Sequence, residues 1–113
     1  MDCIFCKIVQ GEIPSKIVYE DDAVLAFDDI NPEAPVHVLV IPKKHIASFN
    51  ELTAQDGELL VKIMESIQRI AILKKVDQSG YRIVNNCGAD GGQTVGHLHF
   101  HIMGGREMLW PAG

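Results

Sequence analysis

The chain has 113 residues, 47% of them apolar, which is enough for one hydrophobic core and not for two. A formal net charge of −5 argues against long-range attraction to nucleic acid or to an anionic membrane surface, so an anionic substrate has to be held by a local pocket. No stretch approaches the roughly 18 consecutive apolar residues of a membrane span and the first residues lack the pattern of a signal peptide, so a cytoplasmic protein with one domain over residues 1–113 is expected.

Residues 3 to 9 read as a short helical turn stopped at Gly11, with Ile13-Pro14-Ser15 as a turn after it. Lys16 to Tyr19 and Ala23 to Phe27 carry the β-branched and aromatic residues of strands and flank the acidic turn Glu20-Asp21-Asp22. Asn31 to Pro35 is a loop, and Val36 to Ile41 a third strand stopped by Pro42. Thr53 resembles an N-cap with Asp56 in the first turn. The apolar residues Leu59, Leu60, Ile63, Met64, Ile67, Ile70 and Ala71 then recur at helical spacing, which predicts one long helix over 54–75. Tyr81 to Asn85 and His97 to Met103 complete the strands, joined by a loop holding Gly88, Gly91 and Gly92. Strands, one helix, then more strands indicate an α+β domain with a largely antiparallel sheet. Its free edges and the apolar tail around Trp110 leave surface for a second copy to cover, so a homodimer is expected.

All five histidines fall in two short apolar segments, at positions 37, 45, 97, 99 and 101. On a strand, His97, His99 and His101 would point one way while Leu98, Phe100 and Ile102 point the other. A lone histidine on an apolar strand is ordinarily a satisfied core group; three in register would each cost roughly 1 to 3 kcal/mol if left unpaired. Two of the three could share an ion, whereas all three on one straight strand are not expected to, because His97 and His101 would lie about 13 Å apart. The middle imidazole is then placed as a nucleophile, with neighbours that orient it or carry protons. Upstream, Gly88 to Thr94 is a glycine-rich loop whose backbone N–H groups can face an anion, although such loops are mostly ordinary turns. Only Val95 and Gly96 separate it from the histidines.

The run His97-Leu98-His99-Phe100-His101-Ile102-Met103 resembles the signature of the histidine triad (HIT) family, and similarity to its Hint branch extends through Ile4-Phe5, Glu12-Ile13-Pro14, Asp29-Ile30, Val40 to His45, Gly91-Gly92-Gln93 and Met108 to Pro111. That resemblance implies a HIT-like fold, a five-stranded mainly antiparallel sheet with one long and one short helix, whose dimer forms a continuous ten-stranded sheet. It implies a purine nucleoside phosphoramidase in which His99 forms a nucleotidyl-histidine intermediate. His101 then serves the phosphate, His97 and His37 the supporting network, and Asn86, Gly92, Gln93, Thr94 and Val95 the phosphate region. Asp29 accepts from the ribose hydroxyls, while Phe5, Ile8, Phe27 and Ile30 line the base cleft and Trp110 belongs to the same site. Dinucleoside polyphosphate cleavage and a nucleotide-binding module with weak catalysis are the rival readings. A free-base imidazole nucleophile of ordinary basicity loses activity below about pH 6.5, and a second imidazole, as imidazolium, can protonate a departing amine.

Three cysteines without an export pattern argue against a disulfide framework and for metal ligation or burial. Cys3-x-x-Cys6 has the spacing of a zinc half-site and lacks the βαβ context of a redox pair. The resemblance extends to family members that bind structural zinc with two such cysteines and two histidines, here His45 and His97; two free thiols are the alternative. Cys87 has no such partner and reads as a packed or loop thiol.

Overall fold

The computed structural model describes residues 3–113, so the first two residues of the expected domain lie outside it. Helix α1 spans Ile4–Val9, strands β1 Ile17–Glu20, β2 Val24–Asp28 and β3 Val36–Pro42, helix α2 Gly57–Leu73, and strands β4 Tyr81–Val84 and β5 Phe100–Gly104. The strands form one antiparallel sheet of order β1-β2-β3-β5-β4. Strands β2 and β3 are buried along nearly their whole length because both faces of the sheet are covered. Val24, Ala26, Val38, Val40 and Ile102 pack with Ile63, Ile67 and Ile70 of α2. The intervening residues Leu25, Phe27, Leu39 and Ile41 turn the other way, against Cys3 and Phe5 of the α1 segment.

That alternation also places the histidines. His37 shares the pleat parity of Leu39 and Ile41, and His101 sits directly opposite Leu39, so both imidazoles lie on the α1 face. The opposite face therefore carries the α2 core, while the α1 face holds imidazoles and a second, smaller apolar cluster.

Two boundaries differ from the sequence expectation. The last strand starts at Phe100, not at His97, so His97 and His99 lie before the ladder. Partner strand β3 ends on Pro42, and the incoming chain is tied instead by the Leu98 N–H donating to Ile46 O at 2.6 Å and the His97 ring on Pro42 O at 2.8 Å. The long helix covers 57–73 rather than 54–75. Residues Ala54–Asp56 form a separate 3₁₀ turn inside a Thr53/Asp56 capping box, so Gly57 opens the helix instead of interrupting it. At the other end, Lys75 takes φ 60 and the Val76 N–H donates to Ala71 O at 2.9 Å, the closing geometry usually built on glycine.

Candidate active site and metal centre

Helix α1 delivers Phe5 into the middle of the imidazoles. Its ring lies edge-on to His99 at 5.2 Å between centroids, to His97 at 5.9 Å and to Phe27 at 5.6 Å. His99 is 4% exposed, and its ring centroid is 5.2 Å from that of His101. Each ring is fixed by a distinct partner, which settles where the protons sit. His99 Nδ1 is 2.7 Å from the carbonyl oxygen of His97, an atom that only accepts, so in the neutral ring Nδ1 carries the hydrogen and Nε2 keeps a lone pair.

The same logic runs through His37 and His101. The Glu33 N–H donates to His37 Nδ1 at 3.0 Å, so the neutral ring carries its proton on Nε2. That proton faces His101 Nδ1 at 2.9 Å and Asp29 Oδ2 at 3.4 Å. His101 Nδ1 therefore accepts, and His101 Nε2 is left bearing hydrogen as a donor. Burial, reinforced by the neighbouring His99 and His37 rings and opposed by Asp29, pushes the basicity of His101 down to about 4. In the free protein at neutral pH it is thus a neutral donor. The imidazolium expected beside the nucleophile is not supplied by His101 in that state.

Two clusters bring three or more metal-ligating side chains within 4.8 Å of one another among the described residues. The Asp29, His37 and His101 group has the hydrogen on His37 Nε2 where a metal would need a lone pair, so it is a hydrogen-bonded chain. Cys3, Cys6, His45 and His97 are different. Their donor atoms lie 3.2 to 3.6 Å apart where they approach: Cys3 Sγ to His97 Nδ1 3.3 Å, Cys6 Sγ to His45 Nδ1 3.2 Å, Cys6 Sγ to His97 Nδ1 3.6 Å, and the two Nδ1 atoms 3.2 Å. A tetrahedral ion with about 2.1 Å bonds to nitrogen and about 2.3 Å to sulfur would set its ligand atoms about 3.4 to 3.8 Å apart. His97 Nε2 donates to the Pro42 carbonyl at 2.8 Å, which turns the Nδ1 lone pair toward the thiols. The Cys6 N–H donates to Cys3 Sγ at 3.3 Å. Burial keeps His97 below the usual imidazole range, while Cys6 is raised by burial and by its contact with Cys3. The four residues can bind a metal and fit zinc.

The glycine loop is closed by its own side chains. Gln93 donates its amide hydrogens to Ala47 O at 2.8 Å and Val95 O at 2.9 Å, and accepts from the Gly88 N–H at 3.0 Å. Its expected place at the phosphate is thereby limited to shaping the loop in this arrangement. Asn86 likewise donates to Gly91 O at 2.6 Å. Gly91 is required by sterics, because a Cβ there would collide with the Cys87 backbone, and Gly92 takes φ +78. Gly92 and Thr94 are exposed, whereas Val95 and Ile8 pack at the margin of the Phe5/Phe27 cluster. Asp29 is close to the histidines, its other oxygen accepting from the Asn31 N–H at 2.8 Å. Ile30 and Trp110 are 91% and 83% exposed, so neither forms a packed wall within one chain. Cys87 is a partly buried loop thiol. Missed by sequence were Glu33, whose backbone fixes His37, and Asn85, whose side chain donates to His99 O at 2.9 Å.

Residues 10–108 match the HIT domain, and the chain belongs to that family. It is 52% identical over 112 residues to an uncharacterized HIT-like protein of Synechococcus elongatus, covering 99% of this chain and 97% of the relative. The crystal structure of a HIT family hydrolase from Legionella pneumophila superposes with a TM-score of 0.97 at 50% identity, covering 99% of this chain and 100% of that one. A histidine triad nucleotide-binding protein from Candida albicans gives a TM-score of 0.82 at 36% identity over 89% of this chain and 73% of its own. The five-stranded antiparallel sheet with one long helix is the HIT fold. No helix of the described residues is long and apolar enough to cross a membrane.

Proposed function

We propose that this chain is a purine nucleotide-binding hydrolase that cleaves nucleoside 5′-phosphoramidates, or related AMP and GMP conjugates, through a nucleotidyl intermediate on His99. One observation carries the reading: His99 Nδ1 is bonded to the His97 carbonyl at 2.7 Å, which in the neutral ring leaves the Nε2 lone pair unengaged and not sealed in the core. The relative from Legionella is named a hydrolase and the one from Candida nucleotide-binding, in keeping with it.

In the first step the Nε2 lone pair forms a bond to the α-phosphorus, and the bond from phosphorus to the amine breaks with its electron pair leaving on nitrogen. The departing amine needs a proton. A bound phosphate next to His101 raises that ring's basicity against the effect of burial, and lets it take up and pass on the proton. Water then attacks phosphorus, its proton passing to the now neutral His101, and the bond to Nε2 breaks with its electron pair returning to nitrogen, releasing the nucleoside monophosphate and neutral His99. Asp29 accepts from the ribose hydroxyls, Phe5, Ile8, Phe27 and Ile30 line the base cleft, and the loop from Gly88 to Val95, shaped by Asn86 and Gln93, turns backbone N–H groups to the phosphate. Trp110, on the exposed tail, joins the site in a homodimer. Zinc, when bound by Cys3, Cys6, His45 and His97, supplies cross-linking of α1 to the segment before β5 and takes no part at phosphorus.

The test is His99→Asn assayed with an adenosine phosphoramidate. Turnover is expected to drop by at least about 1,000-fold while AMP binding stays within about threefold. Mass spectrometry of acid-quenched wild-type protein should find a nucleoside monophosphate on His99. Wild type that leaves the phosphoramidate intact but cleaves a dinucleoside polyphosphate would reassign the substrate, and inertness toward both would favour the binding module.

A further inference from the structure

Strand β4 ends at Val84, opposite His101, and β5 begins at Phe100, so the sheet ladder stops just before the nucleophile. The His99 backbone is therefore outside the sheet although the residue is only 4% exposed. A carbonyl in that position requires a donor. The donor is the side-chain amide of Asn85, at 2.9 Å from His99 O, from the first residue beyond β4. His99 is thus held twice: its ring by the His97 carbonyl at 2.7 Å and its own carbonyl by Asn85.

We propose that Asn85 is a positioning residue that fixes the backbone of His99 so that its Nδ1 reaches the His97 carbonyl and its Nε2 stays the attacking base. The catalytic half of this inference rests on His99 being the nucleophile. The physical basis is that the Nδ1 bond spans only two residues, so a rotation of the His99 backbone, which carries both the ring and the carbonyl held by Asn85, lengthens it directly. With that bond lost, the imidazole proton is free to move to Nε2 and occupy the lone pair that attacks. Neighbouring Asn86 acts elsewhere, on the Gly91 carbonyl.

The experiment compares wild type with Asn85→Ala and with Asn85→Asp, which keeps the shape but sets a carboxylate against the carbonyl. Adenosine phosphoramidate turnover should decrease at least tenfold in both variants, while the dissociation constant for AMP changes less than twofold. Nitrogen-15 NMR of the histidine rings should show His99 as the Nδ1–H tautomer in wild type, with the Nε2–H tautomer gaining population in the variants. A role confined to folding would lower the melting temperature and leave the tautomer and kcat of the folded protein unchanged, and that result overturns the proposal. Equal losses in AMP affinity and turnover overturn it as well. If wild type itself fails to turn over the phosphoramidate, the hydrolase reading fails separately, and the tautomer comparison still decides whether Asn85 sets the His99 ring.

Discussion

Burial acts on His101 through its charge, since its Nδ1 already has a partner in His37. The folded protein resists protonation of this ring down to about pH 4, whereas in the unfolded chain an ordinary histidine takes up a proton near pH 6.5. Proton binding therefore favours the unfolded state. The contribution of His101 to stability is complete above about pH 6.5 and is lost as pH falls toward 4, by up to about 3 kcal/mol across that window. His37, His99 and Asp29 face the same ring, and the two imidazoles deepen the effect while the carboxylate opposes it. Denaturant melts of wild type and His101→Gln between pH 7 and 4.5 should show the flatter stability curve in the variant. Parallel curves would remove the burial argument. The alternation of residues 97 to 103 made this triad legible in sequence, but not its proton pattern. That pattern depends on the Glu33 N–H and the His97 carbonyl, backbone groups that no side-chain motif records.

Helix α1 has only six residues, too few to persist in water by its own hydrogen bonds. It is kept by the burial of Cys3 and Phe5, and by the Cys3, Cys6, His45 and His97 cluster that joins it to two other segments. Zinc in that cluster would bind the folded arrangement far better than an unfolded chain, so its affinity adds to stability. His97 keeps two anchors that need no metal, its ring on Pro42 O and the adjoining Leu98 N–H on Ile46 O. Stripping the metal with a chelator should accordingly lower the melting temperature by several degrees and change turnover per folded molecule by less than about threefold. Loss of zinc with no change in melting temperature would show that the cluster does not staple the helix. The Cys-x-x-Cys spacing announced this element, while the helix end at Lys75 did not announce itself, because lysine there occupies a conformation for which the sequence signal is glycine.

The whole sheet has one edge at β1 and the other at β4. Edge β4 stands beside α2 over an apolar groove of about 340 Å³ lined by Phe49, Met64, Ile67, Tyr81, Ile83 and Phe100. Ile83, Val61 and Met64 are each about half exposed within one chain, and exposed apolar residues grouped beside an open strand are a liability unless another surface covers them. A second copy related by a two-fold axis would satisfy both needs at once. Pairing β4 with its equivalent would extend five strands to ten, and α2 would pack its outward apolar residues across the axis. The strand pattern disclosed five strands and an unpartnered edge, but sequence alone could not say which edge, since that follows from β5 crossing between β3 and β4. Ile83→Lys places a charge at the centre of this contact, while its side chain, half exposed in a single chain, disturbs no core packing. Light scattering behind size exclusion should give a dimer mass for wild type and a monomer mass for Ile83→Lys, with circular dichroism unchanged. A wild type that elutes as a monomer at micromolar concentration would mean that this face is covered by something other than its own copy.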